Sequence, residues 1–216
     1  MEFGLKSKIN YYFFKRLFDI FFSLIIIIIF CPLLLLISIL IKATSKGPII
    51  YKGKRVGYHG KIFFILKFRT MHQNAEIMGG YSTSFNDPRL TKIGRILRRY
   101  KIDELPQFFN VLLGEMSITG PRPQVLYYTD KYNNEEKKIL DIKPGITDLS
   151  SIYFNDMDKI LGNKDADFIY EKEIEPIKNK LRLRYLREHN FFFDLRILIE
   201  TAFGILGLKN ITGLLN

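Results

Sequence analysis

The chain has 216 residues, 47% of them hydrophobic, and its 33 basic against 22 acidic side chains give a net charge of +11. That size fits one domain, or one domain plus a membrane element, and the basic excess favours anionic partners without choosing among lipid headgroups, nucleotides, phosphorylated substrates and nucleic acid. The lone cysteine, Cys31, excludes a disulfide framework, and His59, His72 and His189 lack the spacing of a zinc site.

The first element is an uncharged run from Ile20 to Ile41. A straight helix of that length, at about 1.5 Å per residue, would just cross a hydrocarbon core of about 30 Å. The run is too long for a signal peptide, and Lys42 follows it directly, so it reads as a retained anchor. Both flanks are basic: Lys6, Lys8, Lys15 and Arg16 before it, and Lys42, Lys46, Lys52, Lys54, Arg55 and Lys61 after it. The positive-inside rule therefore gives no direction across the membrane, unless both ends stay on the cytoplasmic side. Pro32, near the middle, can break the helix into two halves that enter and turn back. A kinked helix that still spans satisfies the pattern equally well. Neither Ser23 nor Ser38 lies close enough in sequence to repair such a break.

After Gly47-Pro48, Ile49-Ile50-Tyr51 and Lys61 to Phe68 read as the strands of a small hairpin, with Lys52-Gly53-Lys54 and Tyr58-His59-Gly60 as turns. Residues 72–86 read as a polar loop. Thr91 to Tyr100 and Leu105 to Leu113 read as helices, the second stopped by Gly114. Pro121 or Pro123 marks the start of a third helix, and Asn134 to Ile142 an amphipathic one. Residues 156–175 are acidic and polar, Lys178 to Glu188 is a basic helix, and Phe191 to Leu208 is apolar enough to lie on the core or the membrane surface. The fold class expected is α+β, mostly helical, with a small β-hairpin and an N-terminal re-entrant, Pro-broken membrane helix. Residues 1–46 form the anchor and 47–216 a cytoplasmic catalytic domain with membrane-surface helices.

The densest polar chemistry is Asp103-Glu104, beside Arg89, Lys92, Arg95, Arg98, Arg99 and Lys101. Asp103 stands where an N-cap would, and a cap with a solvated neighbour is a complete structural account of the pair. In a functional account one carboxylate attacks phosphorus while the other holds Mg²⁺ on phosphate oxygens. Lys67 and Arg69, two apart on a strand, would share a side and grip a diphosphate; the alternative is a solvated polar face. In Gly120-Pro121-Arg122-Pro123 the prolines aim Arg122, suited to bidentate phosphate contact, or simply form a rigid turn.

The ordered set resembles the bacterial sugar transferases of the small monotopic phosphoglycosyl transferase family. It comprises Lys15-Arg16, Asp19, Pro32, Gly47-Pro48, Arg55-Val56-Gly57, Lys67-Phe68-Arg69-Thr70-Met71, Asp87-Pro88-Arg89, Asp103-Glu104-Leu105-Pro106-Gln107, Gly120-Pro121-Arg122-Pro123 and Lys143-Pro144-Gly145-Ile146-Thr147. The resemblance implies transfer of a sugar-1-phosphate from a UDP-sugar to polyprenyl (undecaprenyl) phosphate, releasing UMP, as the first membrane step of a glycoconjugate. It implies Asp103 as nucleophile, Glu104 and Asp103 as the Mg²⁺ site, and Lys67, Arg69, Arg122 and Arg89 as substrate-binding residues. The expected setting is the cytoplasmic face of a bacterial inner membrane, among its phospholipids and without nucleic acid; association with further copies of the chain is left open. The chain departs from the family pattern at Gly53, at Asp148, where many relatives have Gly, and at Cys31, where many have Ser. Two other classes compete: a non-enzymatic basic membrane adaptor, and, ranked last, a nucleic-acid binder using the 89–101 segment.

Overall fold

The computed structural model describes residues 2–75, 87–154, 166–205, 208 and 211–214. Most of the expected polar loop (76–86) and half of the acidic stretch (156–165) lie outside the described residues, as does part of the expected apolar segment beyond Ile205.

Helix α1 runs from Glu2 to Thr44 with Pro32 inside it, so the expected break does not interrupt the helical backbone. It is the one described helix long and apolar enough to cross a membrane, from Tyr11 to Thr44. Ser38 returns its hydroxyl to the Leu34 carbonyl at 2.7 Å, whereas Ser23 is buried and its hydroxyl has no partner among the described residues. Asp19, Ser23, Ile37 and Ile41 are buried and share one face at 3.6 residues per turn; Leu17, Phe21, Leu24, Ile28, Leu35 and Ile39 stay exposed on the other.

Both halves of α1 are fastened to the rest of the chain. Lys15 donates to Asp194 and to Thr119, each at 2.5 Å, and Asp19 accepts the Ile118 amide at 3.1 Å. Further along, Ile37 and Ile41 join Phe68 and Leu97 in one apolar cluster.

Strands β1 (Ile50–Val56) and β2 (Ile62–Phe68) form the hairpin, antiparallel from Ile50 opposite Phe68 to Val56 opposite Ile62. The turn is at Tyr58–Gly60, where His59 and Gly60 have positive φ. Lys52-Gly53-Lys54 is not a turn but the middle of β1, paired with Leu66, Ile65 and Phe64: the cross-strand ladder overrides the local preference of Gly.

Helix α2 (Lys92–Arg99) is capped by the Thr91 hydroxyl, which accepts the Gly94 amide at 2.9 Å. Helix α3 (Gln107–Leu113) ends at Gly114 with φ +83. Arg16 of α1 donates to the carbonyls of Val111 and Leu112 at 2.6 and 3.0 Å, a cation on the exposed carbonyl end of α3. Strands β3 (Ser117–Thr119) and β4 (Gly145–Thr147) pair in parallel. Phe63, Ile65, Val111, Met116 and Ile118 form a core over which Phe18 of α1 packs, joining α1, β2, α3 and β3.

No helix starts at Pro121 or Pro123; α4 covers only Leu126–Thr129. The expected amphipathic helix is a 3₁₀ stretch, Glu136–Asp141. Helix α5 (Leu149–Tyr153) precedes the short α6 (Ala166–Ile169), which passes through a π-helical turn at Tyr170–Ile174 into α7 (Glu175–Glu188). Helix α8 (Phe191–Ile205) returns to α1, where Asp194 meets Lys15.

Candidate active site

Asp103 and Glu104 lie in a 3₁₀ turn, Ile102–Glu104, between α2 and α3. Lys101, with φ +55, turns the chain into it. Asp103 does not cap α3: the residue before that helix is Pro106, with no side-chain cap. This removes the structural account that sequence pattern favours. Asp103 is only 7% exposed, yet its carboxylate accepts no hydrogen bond among the described residues, and its oxygens are not sealed from solvent. Burial raises its pKa, Lys67 opposes the rise, and the Glu104 charge adds to it.

Glu104 has the opposite environment. Its Oε1 accepts from Lys67 Nζ at 2.7 Å and from Arg122. Burial works against its charge, but Arg122 and then Lys67 more than reverse that and hold it well below the usual carboxylate range. The neighbouring carboxylates thus divide into one that is clamped and one that is not.

Arg122 is aimed by the turn that carries it. Its second guanidinium nitrogen donates to the Ile146 carbonyl at 2.9 Å, and its amide to Asp148 at 3.3 Å. Gly120-Pro121-Arg122 lies directly against Lys143-Pro144-Gly145: Ser117 N donates to Pro144 O at 2.8 Å and Gly145 N to Pro121 O at 3.0 Å. A methyl group on Gly145 would fall on the Gly120 backbone, so glycine is required for this approach. Asp148 caps α5 through the Ser151 amide at 2.8 Å and accepts the Ser150 hydroxyl at 2.6 Å. Asp148 thus stands as a buried anion behind Arg122.

The structure brings Lys67, Asp103, Glu104 and Arg122 together, but not Arg69 or Arg89. Strand β2 ends at Phe68, and Arg69 turns to the end of α1, donating to the carbonyls of Lys46 and Ser45 at 2.6 and 2.9 Å. Arg89 is buried with Asp87, 2.6 Å between charged atoms. Arg98 acts electrostatically on both Asp103 and Asp87.

A second cationic group lies on α7, which the sequence shows only as a basic helix. Lys178 and Arg182 are both buried. Arg182 pairs with Glu175 at 2.7 Å, and Glu175 also accepts from Gln124 at 2.8 Å. The spacing of Glu175, Lys178 and Arg182, at i, i+3 and i+7, is the signal that one face of α7 is charged and inward.

Among the described residues no group of three or more His, Cys, Asp or Glu side chains is placed to hold a metal. The adjacent carboxylates fit a magnesium ion, which needs only one or two of them beside phosphate oxygens. Asp103 is unpaired, and the second oxygen of Glu104 accepts no hydrogen bond among the described residues.

Residues 10–207 match the family described as bacterial sugar transferase. A UDP-glucose:undecaprenyl-phosphate glucose-1-phosphate transferase of Klebsiella pneumoniae is 39% identical over 88% of this chain and 39% of its own length. A UDP-N-acetylgalactosamine-undecaprenyl-phosphate N-acetylgalactosaminephosphotransferase of Aeromonas hydrophila is 39% identical over 75% of this chain and 40% of its own. A putative undecaprenyl-phosphate N-acetylgalactosaminyl 1-phosphate transferase of Bacillus subtilis is 48% identical over 56% of this chain and 68% of its own. The chain spans about two-fifths of the length of the Klebsiella and Aeromonas relatives.

Proposed function

The chain belongs to the bacterial sugar transferase family, and we propose from this that it moves a sugar-1-phosphate from a UDP-sugar to undecaprenyl phosphate through an aspartyl intermediate, opening the assembly of a glycoconjugate. The observation that carries the proposal is the asymmetry of the carboxylate pair: Asp103 buried and unpaired, Glu104 clamped by Lys67 and Arg122. The related transferases, named for glucose in one case and N-acetylgalactosamine in two, support the reaction while leaving the sugar open.

In the first displacement an Asp103 oxygen attacks the phosphorus that bears the sugar. The bond from that phosphorus to the bridging oxygen breaks, and UMP leaves with the electron pair. In the second, an oxygen of undecaprenyl phosphate attacks the same phosphorus and the aspartyl oxygen departs, restoring the carboxylate. Lys67 and Arg122 hold Glu104 and present positive charge to the phosphates, placed in advance of the reaction. Magnesium, held by Glu104 and Asp103, would supply charge neutralisation on the phosphate oxygens.

The seat of α1 supports placing this site on one membrane face, the cytoplasmic face of the inner membrane, where the UDP-sugar is. Asp19 and Ile41 are 22 residues apart, about 33 Å in a straight helix. Both are seated on the catalytic part of the chain. A crossing helix would draw that charged surface through the hydrocarbon, which is prohibitive. This favours a helix that stays on one side, with its exposed apolar face toward the lipid.

The test is incubation of the full chain with a panel of UDP-sugars and Mg²⁺, without lipid acceptor. A phospho-sugar mass on the peptide containing Asp103, with one UMP per enzyme, is expected. UMP release with no adduct on that peptide would refute the covalent route.

A further inference from the structure

Lys178 is a buried cation that the reaction described above does not use. The residue is 8% exposed and makes no ion pair among the described residues. Its one hydrogen bond, to the Tyr170 hydroxyl, is 3.4 Å and therefore weak. The ammonium lies 4.8 Å from the Tyr170 ring centroid and 5.8 Å from that of Phe154. Contacts of that kind contribute about 0.5–2 kcal/mol, less than the cost of burying an unpaired ammonium.

The nearby acids are already engaged. Glu175 is held by Arg182 and Gln124, and Asp148 by Arg122, Ser150 and Ser151. Arg182 is 1% exposed, and its Nε and one terminal nitrogen have no hydrogen-bond partner among the described residues. Among the described residues Arg182 takes Glu175 as its anion, and Lys178 beside it has none of its own. The fold holds them there through the α7 face and the π-helical turn that brings in Tyr170.

The position of this group gives the missing anion an identity. Arg122 donates to Glu104 beside Asp103, and Gln124, two residues further along the same turn, donates at 2.8 Å to the Tyr170 hydroxyl that Lys178 also reaches. On the transferase reading, a diphosphate with one phosphoryl group at Asp103 extends along this turn, and the next group is directed toward Lys178. A lysine ammonium suits phosphate as a point charge. We propose that Lys178 forms a phosphate subsite for the nucleotide's own phosphate, the group that leaves as UMP, with Arg182 as fixed positive charge behind it. The proposal rests on the transferase reading.

The experiment measures UMP binding to the full chain in lipid nanodiscs, by calorimetry and without turnover. Lys178→Met should weaken UMP about ten- to hundredfold, the range for losing one charge-assisted contact, while Lys178→Arg retains most of the affinity. The kcat/KM for undecaprenyl phosphate, which reports the second displacement alone, should be unchanged in both variants. A folded Lys178→Met protein with wild-type UMP affinity would overturn the proposal, as would loss of affinity for the lipid phosphate instead. Should Lys178→Met fail to fold, the wild type decides the matter. UMP must slow acylation of Lys178 by an amine-directed reagent, and equal labelling with and without UMP is the contrary result. Protection of Lys178 in a chain that releases no UMP from any UDP-sugar would keep the subsite and sink the reaction.

Discussion

The Lys67 ammonium lies 2.7 Å from Oε1 of Glu104, the carboxylate that directly follows Asp103. Arg122 reaches the same oxygen from the Gly120–Pro123 turn. A hairpin strand and a turn next to β3 are therefore tied together through one side chain, and Asp103 is left as the carboxylate that accepts no hydrogen bond among the described residues.

Asp103→Asn keeps the size of the side chain and removes its charge. UMP release should fall by about 10⁴-fold or more, the scale seen when a nucleophile is lost. Its adduct peptide should disappear from the mass spectrum. Turnover at the wild-type rate would contradict the assignment.

Glu104→Gln leaves Lys67 and Arg122 half-buried without their anion. Turnover should drop about 10²–10³-fold. In a double-mutant cycle with Lys67→Met, denaturation should give a coupling of about 0.5–3 kcal/mol. Additive effects would show that the two side chains do not act as a unit.

Gly145→Ala forces a methyl group onto the Gly120 backbone. The chain should lose about 1–3 kcal/mol in denaturant unfolding. Because Arg122 moves with that turn, kcat should fall as well. A variant of unchanged stability and rate would mean that the two segments separate at little cost.

Burial lowers the pKa of Lys178 to about 7, with Arg182 and Arg122 acting in the same direction and Asp148 and Glu175 against it. Tyr170 and Phe154 are the other side chains facing the ammonium. Only the protonated amine attracts phosphate, so kcat/KM for the donor should decline as pH rises through about 7. In Lys178→Gln that alkaline decline should flatten, and in Lys178→Arg it should move to higher pH. An identical profile in Lys178→Gln would assign the limb to another group.

Tags on both termini should be shielded from protease in intact spheroplasts and cleaved after permeabilisation. Cleavage of the N-terminal tag in intact spheroplasts would mean that α1 crosses the membrane.

Sequence alone determined what short-range chemistry can specify. The uncharged run from Ile20 to Ile41, the hairpin, the helix that begins near Thr91 and the Gly114 stop are local signals, and each is found. Asp103, Glu104, Lys67 and Arg122 stood out because their motifs concentrate charge beside Gly and Pro. The failures are long-range. Arg69 satisfies the end of α1 instead of following Lys67, because strand β2 stops one residue before it. Asp103 reads as a cap in sequence but sits in a 3₁₀ turn whose carboxylate caps nothing. The parallel pairing of β3 with β4, and the inward face of α7 that buries Lys178 and Arg182, depend on contacts between segments far apart in the chain. Whether a charge is solvated or buried is a property of what packs over it, and the tertiary structure alone decides that.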